Sequence, residues 1–256
     1  MKHNKSAAIL VAAGQGERLS KFTDGIPKQF SELGGMPLFI WSLATFAGHP
    51  KIEQVVLCVP EGWGKKTFDW IGQHLPEFAP NVTILTGGST RQESVWLALE
   101  SLADHPPSYV IIHDAVRPFV TTKIIDQVID KLKQGHSITL AIPASDSITR
   151  VDAETIIDSL DRSKLALVQT PQATEFNTLL KAHQNARLKK QIVTDDASII
   201  KSHGVEVITI PGSRLNLKIT EPEDLAIAQA LIKYYNWCPG KVETYKLSDP
   251  MTYCTS

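Results

Sequence analysis

The sequence predicts an α/β protein of three layers: a mostly parallel, Rossmann-like sheet with helices on both faces, from which an extended β-arm projects for dimerisation. Three observations favour this fold. Short apolar runs typical of buried strands alternate with longer stretches in which apolar residues recur at helical spacing. Glycine-rich or acidic motifs follow several predicted strands, where parallel sheets bind their ligands. Late in the chain, the polar, alternating segment 144–163 interrupts this pattern.

The alternation of strands and helices runs along most of the chain. Ala7–Ala13 is an apolar run too short for a membrane span, and it predicts the first buried strand. Pro37–Phe46 has apolar residues at helical spacing and is followed by Gly48 and Pro50, which predicts a packed helix. The later predicted elements are strands at Gln54–Val59, Val82–Leu85, Tyr109–Ile112, Leu140–Pro143, Leu165–Gln169 and Glu206–Ile210, and helices at Phe68–Leu75, Lys123–Lys133, Glu175–Asn185 and Glu221–Ile232.

Length and composition indicate the domain organisation and the class of partner. A chain of 256 residues with 43% hydrophobic content can bury a substantial core. We expect a single α/β domain over residues 1–235, with its arm at about 144–163, and an irregular tail over 236–256. The formal net charge of −1 and the lack of a long lysine or arginine run argue against nucleic acid or a membrane surface as the main partner. A small anionic ligand fits better.

Cysteine usage predicts a reducing compartment. The chain has three cysteines, Cys58, Cys238 and Cys254, and none of them forms a CxxC pair. This pattern suggests neither a disulfide framework nor a zinc site. The polar residues 1–6 lead directly into the first predicted strand and leave no room for a signal peptide, so we expect a cytoplasmic protein.

The stretch after the first strand has the composition of a phosphate-binding loop. Gly14 and Gly16 follow the strand, and the basic residues Arg18 and Lys28 come after them. Glycines let backbone N–H groups approach a polyanion closely, and the basic side chains neutralise the remaining charge. The stretch is neither a Walker loop nor the dinucleotide motif, since Leu19 stands where the third glycine would be. A tight turn into a helix is the alternative interpretation.

A second glycine motif follows the strand predicted at Val82–Leu85. Residues 87–95 read G-G-S-T-R-Q-E-S-V, which places a glycine pair between a strand and a helix and a hydroxyl one turn into that helix. Contact with the same ligand is one interpretation. An ordinary helix start is the other, since Ser, Thr and Glu all suit a first turn.

An acidic motif follows the strand predicted at Tyr109–Ile112. Residues 113–118 read H-D-A-V-R-P. Asp114 at a strand end, facing a phosphate loop, suits Mg²⁺, which takes one or two carboxylates together with phosphate oxygens. The alternative is a weakly stabilising surface pair of Asp114 with Arg117. We expect His113 to pack or to orient a neighbour.

The segment 144–163 alternates as a β-ribbon does. A lone ribbon cannot bury its own faces, so we expect it to pack on another subunit. A long flexible loop is the alternative. Farther on, Thr194–Ser198 is expected to open a helix. Asn216 and Lys218 lie two apart in a segment that resembles a strand, so they are expected to face the same side, and Thr220 is expected to cap the last helix.

Taken in order, these motifs resemble the 2-C-methyl-D-erythritol 4-phosphate cytidylyltransferase family, of the sugar-phosphate nucleotidyltransferase type. The resemblance covers roughly residues 7–231. It rests on A-A-G-Q-G-E-R with P-K-Q, G-G-S-T-R-Q-E-S-V, H-D-A-V-R-P, L-D-R-S-K-L with Q-T-P-Q, T-D-D-A-S, and N-L-K-I-T-E-P-E-D-L. Six motifs in the family's order are a specific signal, although each one is weak by itself.

The resemblance implies that CMP is transferred from CTP to methylerythritol phosphate, with release of pyrophosphate, in the non-mevalonate isoprenoid pathway. It also implies a homodimer with shared active sites and a requirement for Mg²⁺ or another divalent cation, held by Asp114. The implied contacts are Ala13, Gly14, Gly16, Gly88 and Ser94 for CTP, Ser147, Arg162 and Thr170 for the sugar phosphate, and Arg18 and Lys28 for catalysis. The charge of the residues themselves adds Lys218 to the catalytic cations.

Two departures from the family's pattern lie on the acceptor side. Ser147 stands where threonine is expected, and Thr174 stands where an aromatic residue usually follows Thr-Pro-Gln. The loop between Arg18 and Lys28 varies in length, which makes Lys21 an alternative second cation.

Two rival functions stay open at this point. A ribitol or other pentitol 5-phosphate cytidylyltransferase would share the nucleotide half, but residues 160–163 and 194–198 are closer to the methylerythritol enzyme. A non-catalytic CTP-binding module is the more distant rival. The chain keeps all four charged residues assigned to catalysis and metal binding, which a binding module has no need to retain.

Overall fold

The computed structural model describes residues 5–14 and 25–241. Its strands confirm the predicted alternation, and most of them run a few residues longer than expected. They are β1 (Ser6–Val11), β2 (Glu32–Leu33), β3 (Met36–Pro37), β4 (Ile52–Val59), β5 (Val82–Thr86), β6 (Tyr109–Asp114), β7 (Ser137–Pro143), β8 (Ile148–Asp152), β9 (Thr155–Leu160), β10 (Ala166–Glu175) and β11 (Val207–Pro211).

Seven of these strands form one central sheet in the order β11-β7-β10-β6-β1-β4-β5. The pairs of β1 with β4 and β6, of β4 with β5, and of β7 with β11 are parallel, whereas β10 runs antiparallel to both of its neighbours. The sheet is therefore mostly parallel, as the sequence predicts. The carboxyl ends of β1 and β6 lie side by side at its centre.

Helices cover both faces of the sheet and make the three predicted layers. In β1, Ala8 and Leu10 pack with residues of three helices on one face, while Ala7 and Ile9 pack with three others on the opposite face. This follows from the two-residue period of a strand. The first group is α1 (Leu38–Ala47), α2 (Gly64–His74) and α4 (Thr122–Lys133), and the second is α3 (Arg91–Ser101), α5 (Phe176–Leu188) and α6 (Asp196–Ser202).

The last helix, α7 (Pro222–Tyr235), packs in a separate, smaller hydrophobic cluster together with Leu38 and Trp41 of α1. Trp237 belongs to this cluster, 8% exposed and 4.9 Å from the ring of Phe119 between centroids. The first tail residues are thus irregular in backbone but packed on the domain. Cys58 is buried and Cys238 exposed, and both are free thiols. Across 5–14 and 25–241, no helix is long and apolar enough to cross a membrane.

Two local expectations near the last helix are wrong. Thr220 does not cap α7, because Glu221 is the N-cap and forms a reciprocal capping box with Asp224. Thr220 lies one residue earlier and donates its N–H and hydroxyl to the same Asp224 carboxylate. The segment with Asn216 and Lys218 is not a strand: residues 214–216 form a turn and 217–220 are irregular. The Asn216 side chain donates to the Thr170 carbonyl at 2.9 Å.

The predicted arm is present as a separate two-stranded antiparallel sheet of β8 and β9. Ile148 pairs with Leu160 and Val151 with Ile156, and a bulge follows Arg150. Its apolar side chains are open to solvent, with Val151 56% and Ile156 65% exposed. The segment is therefore an ordered ribbon rather than a loop, and its packing on a second subunit stays a prediction.

Candidate active site

A cavity of about 590 Å³ opens where the loops after β1, β5 and β6 meet. These are the carboxyl ends of parallel strands, where α/β sheets bind ligands. Glycine-rich backbone forms part of its wall, and basic side chains form another part. The residues that line it are Val11, Ala12, Ala13, Gly14, Lys28, Gln29, Gly88, Ser89, Thr90, Arg91, Ser94, Asp114, Val116, Lys218 and Thr220.

The loop after β1 is held by a buried glutamine. The Ala12 N–H donates to the Cys58 carbonyl at 2.8 Å, which continues the sheet by one residue. Beyond it, the Gln29 Nε2 donates to the carbonyls of Ala12 and, at 3.0 Å, of Gly14. The two carbonyls are thereby turned toward Gln29. This side chain fixes the start of the predicted phosphate loop.

The loop after β5 combines a close backbone approach with a capped helix. A Cβ on Gly87 would lie 2.2 Å from the Ala13 Cβ, so glycine is required for the two loops to meet. Thr90 caps α3 by accepting from the Glu93 N–H at 3.0 Å. Ser94 is buried, and its hydroxyl accepts from the Gly88 N–H at 3.1 Å. The motif of residues 87–95 therefore begins a helix in the ordinary way and also lines the cavity.

Asp114 is the charged centre of the site. Its Oδ1 lies 3.0 Å from the Arg91 Nε, its Oδ2 lies 2.8 Å from the Lys218 Nζ, and the Arg117 Nε is 3.9 Å away. Burial by itself would raise the pKa of Asp114, but the charges of Arg91 and Lys218 outweigh it and hold the pKa well below its ordinary value. Asp114 is therefore a buried carboxylate and not an exposed partner of Arg117.

Arg91 extends this network from the end of β6 to the start of α6. Its Nη1 lies 2.7 Å from the Asp196 Oδ2, and the other oxygen of that fully buried carboxylate is 3.4 Å from the His183 Nε2. Burial would raise the pKa of Asp196, but Arg91 and His183 hold it below its ordinary value. The Gln172 carboxamide oxygen accepts the N–H groups of Asp196 and Ala197. Arg91 thus joins two buried carboxylates from distant parts of the chain.

His113 and Thr170 pack behind Asp114, on the side away from the cavity. The Thr170 hydroxyl accepts from the Asp114 N–H at 3.0 Å and lies 3.1 Å from the His113 Nδ1. The His113 Nε2 lies 3.1 Å from the Arg117 carbonyl. Burial lowers the pKa of His113 to about 3, so the ring is neutral at neutral pH. It positions neighbours, as the sequence indicates, and does not offer a proton to the cavity.

The electrostatics of the cavity favour an anion. Among the described residues that line it, Lys28, Arg91 and Lys218 are basic and Asp114 alone is acidic. Both Lys28 and Lys218 are partly exposed, so their ammonium groups can reach a ligand. A polyphosphate matches both the excess positive charge and the glycine-rich backbone.

The residues present fit a divalent cation only as a partner of a bound polyphosphate. Within 5–14 and 25–241, no group of three or more His, Cys, Asp or Glu side chains could hold a metal. Asp114 is the acidic residue of the cavity, and both its oxygens already contact cations. Phosphate oxygens would have to supply most of the ligands, which is an arrangement that Mg²⁺ accepts.

Most of the predicted site residues within the described part of the chain come together. The cavity is lined by Ala13, Gly14, Lys28, Gly88, Ser94, Asp114 and Lys218. Thr170 lies directly behind Asp114. Ser147 and Arg162 are exposed at the base of the arm, where the Arg162 Nη1 donates to the Ser145 carbonyl at 2.8 Å, and they do not line this chain's cavity. Gly16, Arg18 and Lys21 lie outside the described residues.

Several residues of the site were not singled out from the sequence. Gln29 and Arg91 stood inside quoted motifs without a role, and Asp196 was taken only as part of a helix start. Both Arg91 and Asp196 could have been noticed as charges at predicted helix starts. Their pairing could not, because 105 positions separate them.

A family comparison decides between the possible anionic ligands. The sequence model described as 2-C-methyl-D-erythritol 4-phosphate cytidylyltransferase matches residues 6–234. The chain belongs to this family. The cytidylyltransferase fold and the isoprenoid pathway implied by the sequence motifs are thereby confirmed, in preference to the pentitol 5-phosphate enzymes.

The proteins similar to this chain include enzymes named cytidylyltransferases and enzymes named bifunctional. The chain is 36% identical over 226 residues to the 2-C-methyl-D-erythritol 4-phosphate cytidylyltransferase of Halalkalibacterium halodurans, covering 88% of this chain and 96% of the relative. It is 40% identical over 222 residues to the bifunctional enzyme IspD/IspF of Solidesulfovibrio magneticus, covering 85% of this chain. The chain spans 55% of that bifunctional relative's length.

Solved structures of cytidylyltransferases share the fold. The enzyme from Thermus thermophilus is 29% identical with a TM-score of 0.71, covering 88% of this chain and 98% of that one. The enzyme from Francisella tularensis is 27% identical with a TM-score of 0.75, covering 88% of this chain and 99% of that one. The seven-stranded sheet and its two helical layers are therefore those of the cytidylyltransferase family.

Proposed function

We propose that this chain transfers CMP from CTP to 2-C-methyl-D-erythritol 4-phosphate and releases pyrophosphate. The observation that carries the proposal is the cavity in which two glycine-rich loops face Lys28, Arg91 and Lys218. A nucleoside triphosphate needs backbone N–H groups and cations of this kind, and the family supplies the identity of the nucleotide.

In the proposed reaction, an oxygen of the acceptor's phosphate forms a bond to the α-phosphorus of CTP. The bond from that phosphorus to the bridging oxygen of the β-phosphate breaks, and pyrophosphate leaves with the electron pair. The attacking group is already an anion, so no general base is required. This agrees with His113, which is neutral and is not among the described residues that line the cavity.

Catalysis in this reaction comes from positioning and from positive charge. Two anions must meet, and charge builds on the oxygens around phosphorus in the transition state. Lys28 and Lys218 line the cavity and are the described cations that we assign to this charge. Arg18 takes the same role on the family's pattern. Asp114 holds Lys218 at 2.8 Å and so fixes the direction of its ammonium group.

The nucleotide is assigned to the glycine-rich wall. Ala13, Gly14, Gly88 and Ser94 line the cavity close to one another, and Gly16 belongs to the same loop in sequence. The Gly87 contact with Ala13 leaves no room for a side chain between the two loops. We assign CTP to this wall because the backbone can approach a planar base and a polyphosphate without obstruction.

A divalent cation, Mg²⁺ for preference, is proposed to accompany the nucleotide. Asp114 would be its protein ligand, and when bound it would neutralise charge on the phosphates. The Lys218 and Arg91 side chains hold the same carboxylate ionised, which keeps it able to bind a cation.

The acceptor is proposed to bind at a site shared by two subunits. Ser147 and Arg162 sit at the base of the exposed arm, away from the cavity of their own chain. An arginine suits a phosphate monoester because its guanidinium can bond two oxygens at once. We infer a homodimer in which each arm brings Arg162 to the partner's cavity, on the side where Thr170 lies behind Asp114.

The experiment that tests the proposal measures pyrophosphate release with CTP and each candidate acceptor, with Mg²⁺ present or removed by a chelator. Release that requires methylerythritol phosphate, CTP and the metal is expected. Release with ribitol 5-phosphate alone would move the acceptor to the pentitol class. No release with any acceptor, together with tight CTP binding, would make the chain a nucleotide-binding module.

A further inference from the structure

Gln29 is buried beside Lys28 and makes two hydrogen bonds to the loop after β1. It belongs to the 3₁₀ turn Lys28–Phe30, and its side chain is 1% exposed. A single nitrogen, Nε2, donates to two backbone carbonyls, those of Ala12 and Gly14. A carboxamide nitrogen carries two hydrogens, so both bonds can form at once without adding a charge.

These two bonds fix the orientation of the peptide groups that begin the phosphate loop. A trans peptide is planar, and its C=O and N–H point in opposite directions. When the Ala12 carbonyl points at Gln29, the Ala13 N–H points away from it. Ala13 and Gly14 both line the cavity. The carboxamide therefore decides in which direction the first backbone donor of this loop points.

The turn that carries Gln29 is itself fixed from behind. The Phe30 ring stacks on Trp63 with centroids 4.4 Å apart and lies 5.4 Å from Trp70. It also meets Phe39 edge to face at 5.8 Å. Three consecutive residues therefore point three ways: Lys28 into the cavity, Gln29 to the loop and Phe30 into the core. An anchored turn can hold the loop in place without help from the ligand.

We propose that Gln29 is a positioning residue for the nucleotide, acting through the backbone of Ala12–Gly14. The inference rests on the proposed function, since it takes CTP as the ligand of this loop. Backbone donors contact the nucleotide alike before and during the reaction. Their loss should weaken binding uniformly, which raises KM while kcat changes little. Lys28, the preceding residue, is expected to show the opposite signature.

The test compares Gln29→Met with wild type in steady-state kinetics and in calorimetric titration of CTP with Mg²⁺. Methionine is similar in length and apolar, but it donates no hydrogen bond. We expect KM and the CTP dissociation constant to rise about tenfold or more, and kcat to change less than about threefold. Gln29→Glu should raise KM further, because its carboxylate repels both carbonyls and the phosphates.

Trp41→Phe is the matched control. The Trp41 Nε1 donates to the Leu33 carbonyl at 2.9 Å, and both residues are buried away from the cavity. The change likewise removes a buried side-chain donor from a backbone carbonyl. It should lower the melting temperature and leave KM for CTP unchanged. A rise in KM for this variant equal to that of Gln29→Met would reduce Gln29 to a residue of general stability.

Wild-type activity separates this inference from the proposed function. If wild type releases pyrophosphate and Gln29→Met has the wild-type KM for CTP, the positioning role is wrong while the function stands. If wild type shows no CTP-dependent activity, the function itself fails. Should Gln29→Met not fold, Gln29→Asn is measured instead, since its amide nitrogen is one methylene too short for both carbonyls. A wild-type KM in that variant would also overturn the inference.

Discussion

The cavity and the β-arm are built in opposite ways from the same chain. In the cavity, a buried carboxylate is matched by cations, with Asp114 held between Arg91 and Lys218. In the arm, apolar side chains such as Val151 and Ile156 are more than half exposed. The first region uses buried charge to hold a geometry, and the second leaves hydrophobic surface uncovered.

The difference shows which part of the enzyme a single chain can complete. Buried ion pairs are stable only when every charge keeps its partner, and Asp114 finds Arg91 and Lys218 within its own chain. A two-stranded ribbon is at best marginal alone, so we expect the arm to gain stability from contacts outside it. We therefore expect changes in the cavity to act on the folding and chemistry of one subunit, and changes in the arm to act on assembly.

The largest expected effect breaks the charge network. Arg91→Met would leave Asp196 with only His183 and Asp114 with only Lys218 as a close partner. Stranding buried charge in this way costs about 3–5 kcal/mol of unfolding free energy.

Arg150→Met is the control in the arm, where Arg150 faces Asp158 across the ribbon in solvent. It should change stability by less than about 0.5 kcal/mol. Urea unfolding at fixed protein concentration measures the stability of both variants. If both lost a similar free energy of unfolding, the expected difference between cavity and arm would be wrong.

The next effect concerns chemistry in the cavity. Lys28→Ala should lower kcat and kcat/KM together by about 10²–10³, because a transition-state cation is lost. Stability should stay close to wild type, since Lys28 is partly exposed. Lys123→Ala, an exposed cation on α4, serves as the control and should be fully active. An unchanged kcat with a raised KM for CTP would give Lys28 a ground-state role instead.

Mixed dimers test whether the arm completes the partner's site. Combining Arg162→Ala subunits with Lys28→Ala subunits should place both lesions in one site and leave the other intact. Activity should return toward half of wild type per heterodimer. Mixing Lys28→Ala with Lys218→Ala is the control, and it should recover nothing because both residues line one chain's cavity. If Arg162 also fails to complement, with subunit exchange verified, each chain supplies its own arginine.

A smaller effect should appear when the arm's apolar face is made polar. Ladder register places Val151 opposite Ile156, and burying either side chain is worth about 1.5–3 kcal/mol. Val151→Ser or Ile156→Ser should weaken dimerisation about ten- to a hundredfold in sedimentation experiments. Leu188→Ser removes an apolar side chain that is 83% exposed elsewhere, and the dimer should tolerate it. If Leu188→Ser weakened dimerisation equally, the arm would have no specific role in forming the dimer.

The smallest expected effect is a pH dependence of the free energy of unfolding, caused by the buried His113. The pKa of His113 is about 3 in the folded chain, against an ordinary value of 6.5. Between these values the unfolded chain binds a proton that the native one does not, so stability falls as the pH falls below 6.5. The slope is about 1.4 kcal/mol per pH unit. Relative to His113→Asn, wild type should lose about 2 kcal/mol between about pH 7 and pH 5. If the stability of wild type and that of His113→Asn changed with pH by the same amount, His113 would not be the group responsible.

Local patterns in the sequence predicted the elements and most of the cavity wall. The strand periodicity of Ala7–Ala13 and the helical spacing of Pro37–Phe46 correspond to β1 and α1 within a few residues. Expectations failed where neighbouring polar residues competed for one role. Thr220 was a plausible cap by type, but Glu221 took the position because Asp224 could bond back to it.

Sequence order by itself determined the α/β alternation, the glycine loops at strand ends and the β-ribbon of the arm, because these depend on contacts between residues close together in the chain. Only the tertiary structure decided the partners of the charges. Arg91 reaches Asp196 across 105 positions, and Lys218 reaches Asp114 from the far end of the domain. A sequence names which residues can carry charge, but burial and distance decide which of them are paired. Both are properties of packing that no local pattern contains.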